Sequence, residues 1–252
     1  MPAFSDYFSS TAVPYAQFRP RYPEPLFNFL SQHASDHQRA WDCGAGTGQA
    51  TIPLSERFHE VVATDPSASQ LAQAERRDNV RYVVATAEES ALRPHSISLV
   101  TVAQALHWFD LDRFYEEVRR VACPGAILAV WTYALFSLGD EALDARIQHF
   151  YTREVGPFWP AERALVDAGY QSLRFPFSEL EVPAFVMQAD WTIERFAGYL
   201  GTWSAVTRYR AARNSDPVMP FVESLRAHWG PPGTPRRVTW PLEVRAGVVC
   251  SR

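Results

Sequence analysis

Residues 39–48, Arg-Ala-Trp-Asp-Cys-Gly-Ala-Gly-Thr-Gly, constrain the fold of this chain more than any other stretch. Ala40, Trp41 and Cys43 suit the interior of a buried strand, while Gly44, Gly46 and Gly48 strip side chains from a turn where the backbone bends sharply and a ligand can approach. Residues 49–58 then read as a helix whose first amides point back at the turn, a place that favours a negatively charged ligand group. The glycine spacing selects among ligands. A dinucleotide fingerprint needs Gly-x-Gly-x-x-Gly, and here the third position is Gln49. The spacing present is Asp-x-Gly-x-Gly-x-Gly, with Asp42 two residues ahead of Gly44. Taken alone, the stretch also fits a glycine-rich connection in another α/β protein.

Strand and helix signals alternate beyond it. Residues 60–65 make a second strand ending in Asp65, and the Pro-opened stretch 66–75 makes a helix. Asp65 lies 17 positions beyond Gly48, where nucleoside-binding α/β folds place a carboxylate for the ribose hydroxyls; it also suits a helix cap. Strands are expected over 80–84, 96–103 and 126–131, with an amphipathic helix over 111–121. Gln104, His107 and Trp108 leave the carboxyl end of the fourth strand, the end where open α/β sheets bind ligands. His107 could act as a base there or bond the substrate.

Asp-x-Gly-x-Gly-x-Gly after a strand resembles motif I of the class I S-adenosylmethionine-dependent methyltransferases, and residues 39–131 match that family's elements in order. The resemblance implies an α/β fold, a Rossmann-like seven-stranded sheet of the class I methyltransferase type with a lid inserted after strand 5. It implies one domain over residues 1–252: an arm and helix to 38, a cofactor core over 39–131, a lid over 132–230 and a final strand over 231–252. The implied cofactor is S-adenosylmethionine. Asp42 would hold its ammonium group; Gly44, Ala45 and Gly46 would pass beneath its amino-acid part; Asp65 would take the ribose. At the junction that often reads Gly-Asp-Ala-Glu in the family this chain has Ala85-Thr-Ala-Glu88, so adenine would rest on Thr86, Ala87 and Glu88. Gln104 joins the implied cofactor set. The segment around Tyr15 and Arg19 resembles the family's arm that closes over the methionine end.

The Arg-Pro-x-Tyr-Pro and His-Trp-Phe forms, with the aromatic and arginine-rich stretch 199–210, are similar to the trans-aconitate and cantharidin methyltransferase-like group. That implies a lid in which Trp203 and an arginine such as Arg208 or Arg210 meet a small-molecule substrate, the arginine suiting an anion, while Trp108, by its place after the fourth strand, is expected to pack against cofactor or substrate. An oxygen acceptor is expected. A carboxylate needs no base, whereas a hydroxyl would need one, and His107 is the nearby candidate. A non-catalytic metabolite-binding protein on the same fold is the alternative.

Composition narrows the partners. A net charge of −4 offers no basic field for nucleic acid, and 47% hydrophobic residues fit a globular protein. All 24 basic residues are arginine, which excludes lysine Schiff-base chemistry. Cys43, Cys123 and Cys250 are odd in number and far apart, so neither a disulfide framework nor a zinc spacing is present. His33 and His37 lack companions at ligand spacing and read as solvent-side. No apolar run reaches transmembrane length. A cytoplasmic monomer or homodimer without metal is the expectation.

Overall fold

Apolar residues at a period of two put opposite faces of each central strand into two different cores. In the computed structural model, which describes residues 20–249, Ala40, Val61, Leu99 and Ile127 are buried on one side of the sheet, and their neighbours Trp41, Val62, Val100 and Leu128 on the other. The strands are β1 (Arg39–Cys43), β2 (Glu60–Asp65), β3 (Val80–Val84), β4 (Ile97–Ala103), β5 (Ala122–Thr132), β6 (Ser178–Glu179), β7 (Phe185–Trp191) and β8 (Arg236–Val248). The order β3-β2-β1-β4-β5-β8-β6 runs parallel through β5 and antiparallel from there.

That path holds the seven strands expected, and an eighth adds to it: β7 pairs with residues 236–242 of β8, from Trp191↔Arg236 to Phe185↔Leu242. β8 pairs with β5 only from Glu243 onward. One strand therefore serves both the main sheet and an antiparallel pair with the lid strand β7. Pro241, opposite Val186, falls between the Ser137↔Thr239 bridge and that first β5 pair, a gap where a missing N–H costs little.

The helices are α1 (Glu24–His33), α2 (Thr51–Ser55), α3 (Ala68–Leu71), α4 (Leu111–Val121), α5 (Glu141–His149), α6 (Arg163–Asp167), α7 (Ile193–Gly201), α8 (Ser204–Arg213) and α9 (Val218–Trp229). α1 lays Leu26, Phe27 and Leu30 on one face of the sheet, and α4 lays Phe114, Val118 and Val121 on the other. Both helices flanking the glycine turn are shorter than expected, spanning 51–55 and 68–71. Ser67, not Asp65, caps α3: its hydroxyl accepts from Gln70 N, and Asp65 holds Ser67 N at 2.8 Å.

The lid fills the space over α1 and the ends of β4 and β5. Trp203 ends the loop after α7 and touches Phe136, Phe150, Tyr151, Trp159 and Tyr199, with ring centres 5.5–6.3 Å apart. The lid thus carries a continuous aromatic core, contiguous with that beneath the sheet. Among the described residues no helix is long and apolar enough to cross a membrane. His33 and His37 are exposed, and no cluster of metal-ligating side chains occurs among the described residues.

Candidate active site at the carboxyl ends of the strands

The glycine turn is built by its own backbone. Gly44 N and Ala45 N both donate to Thr64 O, at 2.8 and 3.0 Å, Gly48 N donates to Ala45 O, and Gly46 N donates to Asp65 Oδ2 at 2.9 Å. The turn amides are thereby consumed. A phosphate would find these four donors already taken by β2, Asp65 and the turn itself. Gly44 and Gly46 hold φ of +70° and +56°, and a Cβ on Gly44 would stand 2.7 Å from Ala105 Cβ.

Two carboxylates support the turn. Asp42 is fully buried and accepts from Thr51 Oγ1 at 2.6 Å and Thr101 Oγ1 at 3.0 Å. Burial pushes its pKa up to about 6 against those hydroxyl contacts, with the nearby Asp65 charge adding to the rise. Asp65 is half-buried at the end of β2. Beside them, Gln70 Oε1 is buried without a hydrogen-bond partner among the described residues and lies 3.4 Å from where a Gly46 Cβ would sit.

A second feature opens where β4 and β5 end. Gln104, His107 and Trp108 from the loop after β4 and Tyr133, Ala134 and Leu135 after β5 meet Tyr151, Trp159, Arg163, Tyr199 and Trp203 of the lid around a space of about 80 Å³. Gln104 adopts φ +55° and is held at both ends of its amide, donating from Nε2 to Tyr133 O and accepting from Thr132 Oγ1. Strain at a non-glycine residue at this place is a mark of function. Arg163 lies 4.7 Å from the Trp159 ring centre and 5.3 Å from that of Tyr151, while its Nε donates to Tyr151 Oη at 2.6 Å and Asp167 Oδ1 at 3.0 Å. Neither Nη nitrogen donates to a described residue. His107 Nδ1 lies 2.7 Å from Tyr170 Oη, and burial together with the Arg163 charge pushes its pKa down to about 3.

Comparison with known proteins decides what this pair of features is. A family profile for a methyltransferase domain matches residues 41–130. A Dictyostelium discoideum protein described as a methyltransferase is 33% identical over 225 residues, 88% of this chain and 86% of its own. A structure from Anaeromyxobacter dehalogenans, assigned as a type II methyltransferase, superimposes with a TM-score of 0.87 at 47% identity, covering 93% of this chain and all of the other. The chain belongs to the class I S-adenosylmethionine-dependent methyltransferases. The yeast protein CRG1, named for S-adenosylmethionine-dependent methyl transfer, is 26% identical and covers 90% of this methyltransferase and 91% of itself.

The turn of the methyltransferase fits S-adenosylmethionine. Its spent amides suit a ligand without phosphate, two carboxylates suit a cation with ribose hydroxyls, and the orphaned Gln70 Oε1 is an acceptor awaiting a donor. A Gly44→Ala variant is expected to lose at least about 2 kcal/mol of stability, from positive φ and the Ala105 clash together. An unchanged midpoint in urea denaturation would sink that expectation.

Eight of the anticipated residues fall into two sets. Gln104, His107, Trp108 and Trp203 converge on the cavity; Gly44, Ala45, Gly46 and Asp65 converge on the turn. Asp42 sits beneath the turn with both oxygens on threonine hydroxyls, so a direct grip on the ammonium is not what the structure offers; its influence is through charge. Thr86 is exposed at the end of β3 in a bridge to Glu89, Ala87 is buried, and Glu88 Oε1 accepts Asp110 N at 2.9 Å, fastening the loop after β4. Arg208 lies on α8 and is not a cavity residue; the arginine in the cavity is Arg163. Tyr15, Arg19 and Cys250 lie outside the described residues. Of the two roles anticipated for His107, base or substrate contact, burial beside the Arg163 guanidinium disfavours the first.

Arg163, Tyr151, Trp159 and Tyr170 had no sequence signal at motif spacing. The stretch Trp-Pro-Ala-Glu-Arg that leads into α6 offered only an arginine four residues after a tryptophan.

Proposed function

We propose that the methyltransferase methylates an oxygen of a small anionic acceptor, a carboxylate, held in the cavity at the ends of β4 and β5. The observation that carries this is Arg163: its Nε side is fixed by Tyr151 and Asp167, its plane lies over Trp159, and its Nη side is left for an anion. The side chain is only 20% exposed, so such a pair would form largely out of water. A space of about 80 Å³ is of a size for the reacting end of a small molecule.

When bound, S-adenosylmethionine supplies an electrophilic methyl group on a sulfonium. The chain's part is then placement and exclusion of water. Asp65, the 44–46 backbone and Gln70 would hold the cofactor, with Thr86, Ala87 and Glu88 toward its adenine. Gln104, pinned between Thr132 and Tyr133, stands between turn and cavity. Trp108, Tyr199 and Trp203 wall off solvent around the acceptor.

The test is incubation with methyl-labelled cofactor and a panel of small mono-, di- and tricarboxylic acids, followed by mild alkali. Label transferred to an acid and released by alkali as methanol is the expected result, since an ester hydrolyses and an ether does not. Alkali-stable label on a phenol or amine, with none on any acid, would refute the carboxylate assignment.

A further inference from the structure

We propose that the amino ends of β1, β2 and β3 carry a second ligand site, which binds a dianionic phosphate group between Arg39, Arg81 and Arg93. It lies at the opposite end of the strands from the glycine turn. Arg39 opens β1 and Cys43 closes it, about 13 Å away at about 3.3 Å per residue, so this site is separate from those of the cofactor and the acceptor.

The strand register builds one wall. In the parallel ladder Arg39 pairs with Glu60, and Arg81 with Val62. Strand alternation puts Arg39 with Trp41, Glu60 with Val62 and Arg81 with Val83, on the face that α4 covers. The connection from β3 to β4 supplies the other wall and is fastened at both ends. Ser90 donates from N and Oγ to Glu117 Oε1; His95 N donates to Arg120 O at 3.1 Å and Ser96 N to Val121 O at 2.8 Å. Between those anchors Ser96 Oγ donates to Arg93 O at 2.7 Å and closes the turn. Arg39, Glu60, Arg81, Leu92, Arg93 and Ser96 thus border a space of about 470 Å³, within the range of small-ligand pockets.

Three guanidinium groups share that space with one carboxylate, a local excess of two positive charges in a chain whose net charge is −4. Glu60 is spent on Arg39: its Oε2 accepts from Nε at 2.7 Å and lies 2.6 Å from Nη2. Arg81 Nε stands 3.8 Å from Glu60 Oε1, too far for a hydrogen bond. The Arg93 guanidinium makes neither hydrogen bond nor ion pair with any described residue. Two complete forks and Arg39 Nη1 are therefore left with donors to give.

The chemistry of those donors selects the ligand. A carboxylate has two oxygens and one charge, enough for one fork. A phosphate monoester has three terminal oxygens and close to two charges, which match two forks and the local excess. Leu92, buried at the edge of the space, gives it an apolar wall, and the volume leaves room for a small organic body behind the phosphate.

Calorimetric titration of the whole chain with ribose 5-phosphate, inorganic phosphate and acetate, at pH 8 and about 50 mM salt to limit screening, tests the site. Saturable one-to-one binding of a phosphate is expected, with acetate far weaker. Arg81→Gln and Arg93→Gln should each weaken it by about tenfold or more, the loss of a charge-assisted hydrogen bond, and leave the affinity for S-adenosylhomocysteine within about twofold of the parent. Both side chains are exposed and hold no hydrogen bond, so either replacement spares the fold. A tighter grip on the ester assigns the site to a phosphorylated metabolite; equal affinities assign it to the free ion. No saturable binding of either phosphate, binding that both variants leave unchanged, acetate binding as tightly, or displacement of phosphate by S-adenosylhomocysteine would each overturn the proposal.

Discussion

Replacing Arg163 with Met is expected to lower kcat/KM for a carboxylate acceptor by about 10²–10³-fold, the loss typical when one partner of a desolvated charge-assisted pair is removed. The loss should lie mainly in KM, because the carboxylate has much the same claim on the guanidinium before and during transfer. Met keeps the stem against Trp159 and Tyr151, so the wall of the cavity survives while the fork is lost. Affinity for S-adenosylhomocysteine should stay within about twofold, since Arg163 belongs to the lid and not to the glycine turn. Arg163→Lys should recover only part of the loss: a lysine ammonium offers no planar fork and cannot hold Asp167, Tyr151 and the acceptor together. Equal activity of the parent and Arg163→Met across the acid panel would remove Arg163 from the acceptor site.

The other large effect concerns Asp42, where stability and binding are expected to move in opposite directions. Its carboxyl has a pKa of about 6 in the folded protein against an ordinary 3.8. A raised carboxyl contributes stability that is complete below the unfolded value and is lost as pH rises through about 6. At pH 7.5 the buried, ionised group therefore costs about 3 kcal/mol. Asp42→Asn removes the charge while keeping an acceptor for Thr101 and offering a donor to Thr51. The variant should gain up to about 3 kcal/mol at pH 7.5, a rise in Tm of roughly 5–10 °C, and no advantage at pH 4. Its affinity for S-adenosylmethionine should fall tenfold or more, because a cationic ligand above the turn loses the field of this carboxylate. The same linkage predicts that the parent's cofactor affinity weakens below pH 6, by at most about tenfold per unit, as Asp42 takes up a proton. Calorimetric titration and chemical denaturation of parent and variant at both pH values check all of this. A variant no more stable at pH 7.5 and unchanged in affinity would show that the charge is already compensated without ligand.

The cofactor half of this site was legible in the sequence because its determinants are local. Strand alternation, three glycines needing positive φ and an acid at the end of the next strand are all written within some thirty residues. The proposed acceptor half was legible only where it hangs from that same frame: Gln104, His107 and Trp108, which line the cavity, follow β4 at its carboxyl end. Trp203 could be anticipated as part of an aromatic cluster, but the arginine that lines the cavity is Arg163 and not Arg208. α6 and α8 both carry arginines, and which helix turns one into the cavity is settled by tertiary packing that no period encodes. Tyr170, whose phenol meets His107, was hidden for the same reason, since a turn at positive φ pressed against β8 delivers it there. Pro176 and Pro183 interrupt the stretch before β7, and the strand begins only at Phe185.

The dual pairing of β8 bears on how acceptor specificity could be exchanged between relatives. The obvious cut for transplanting a lid lies in the polar loop near residue 231, before the last strand begins. Yet residues 236–242 hydrogen-bond to β7 of the lid, and 243–248 to β5 of the cofactor sheet. A chimaera joined at the loop would ask a foreign β7 to find its register on a native β8. The natural seam runs through the middle of that strand, between Leu242 and Glu243, and a graft cut there would bring the lid's own template with it.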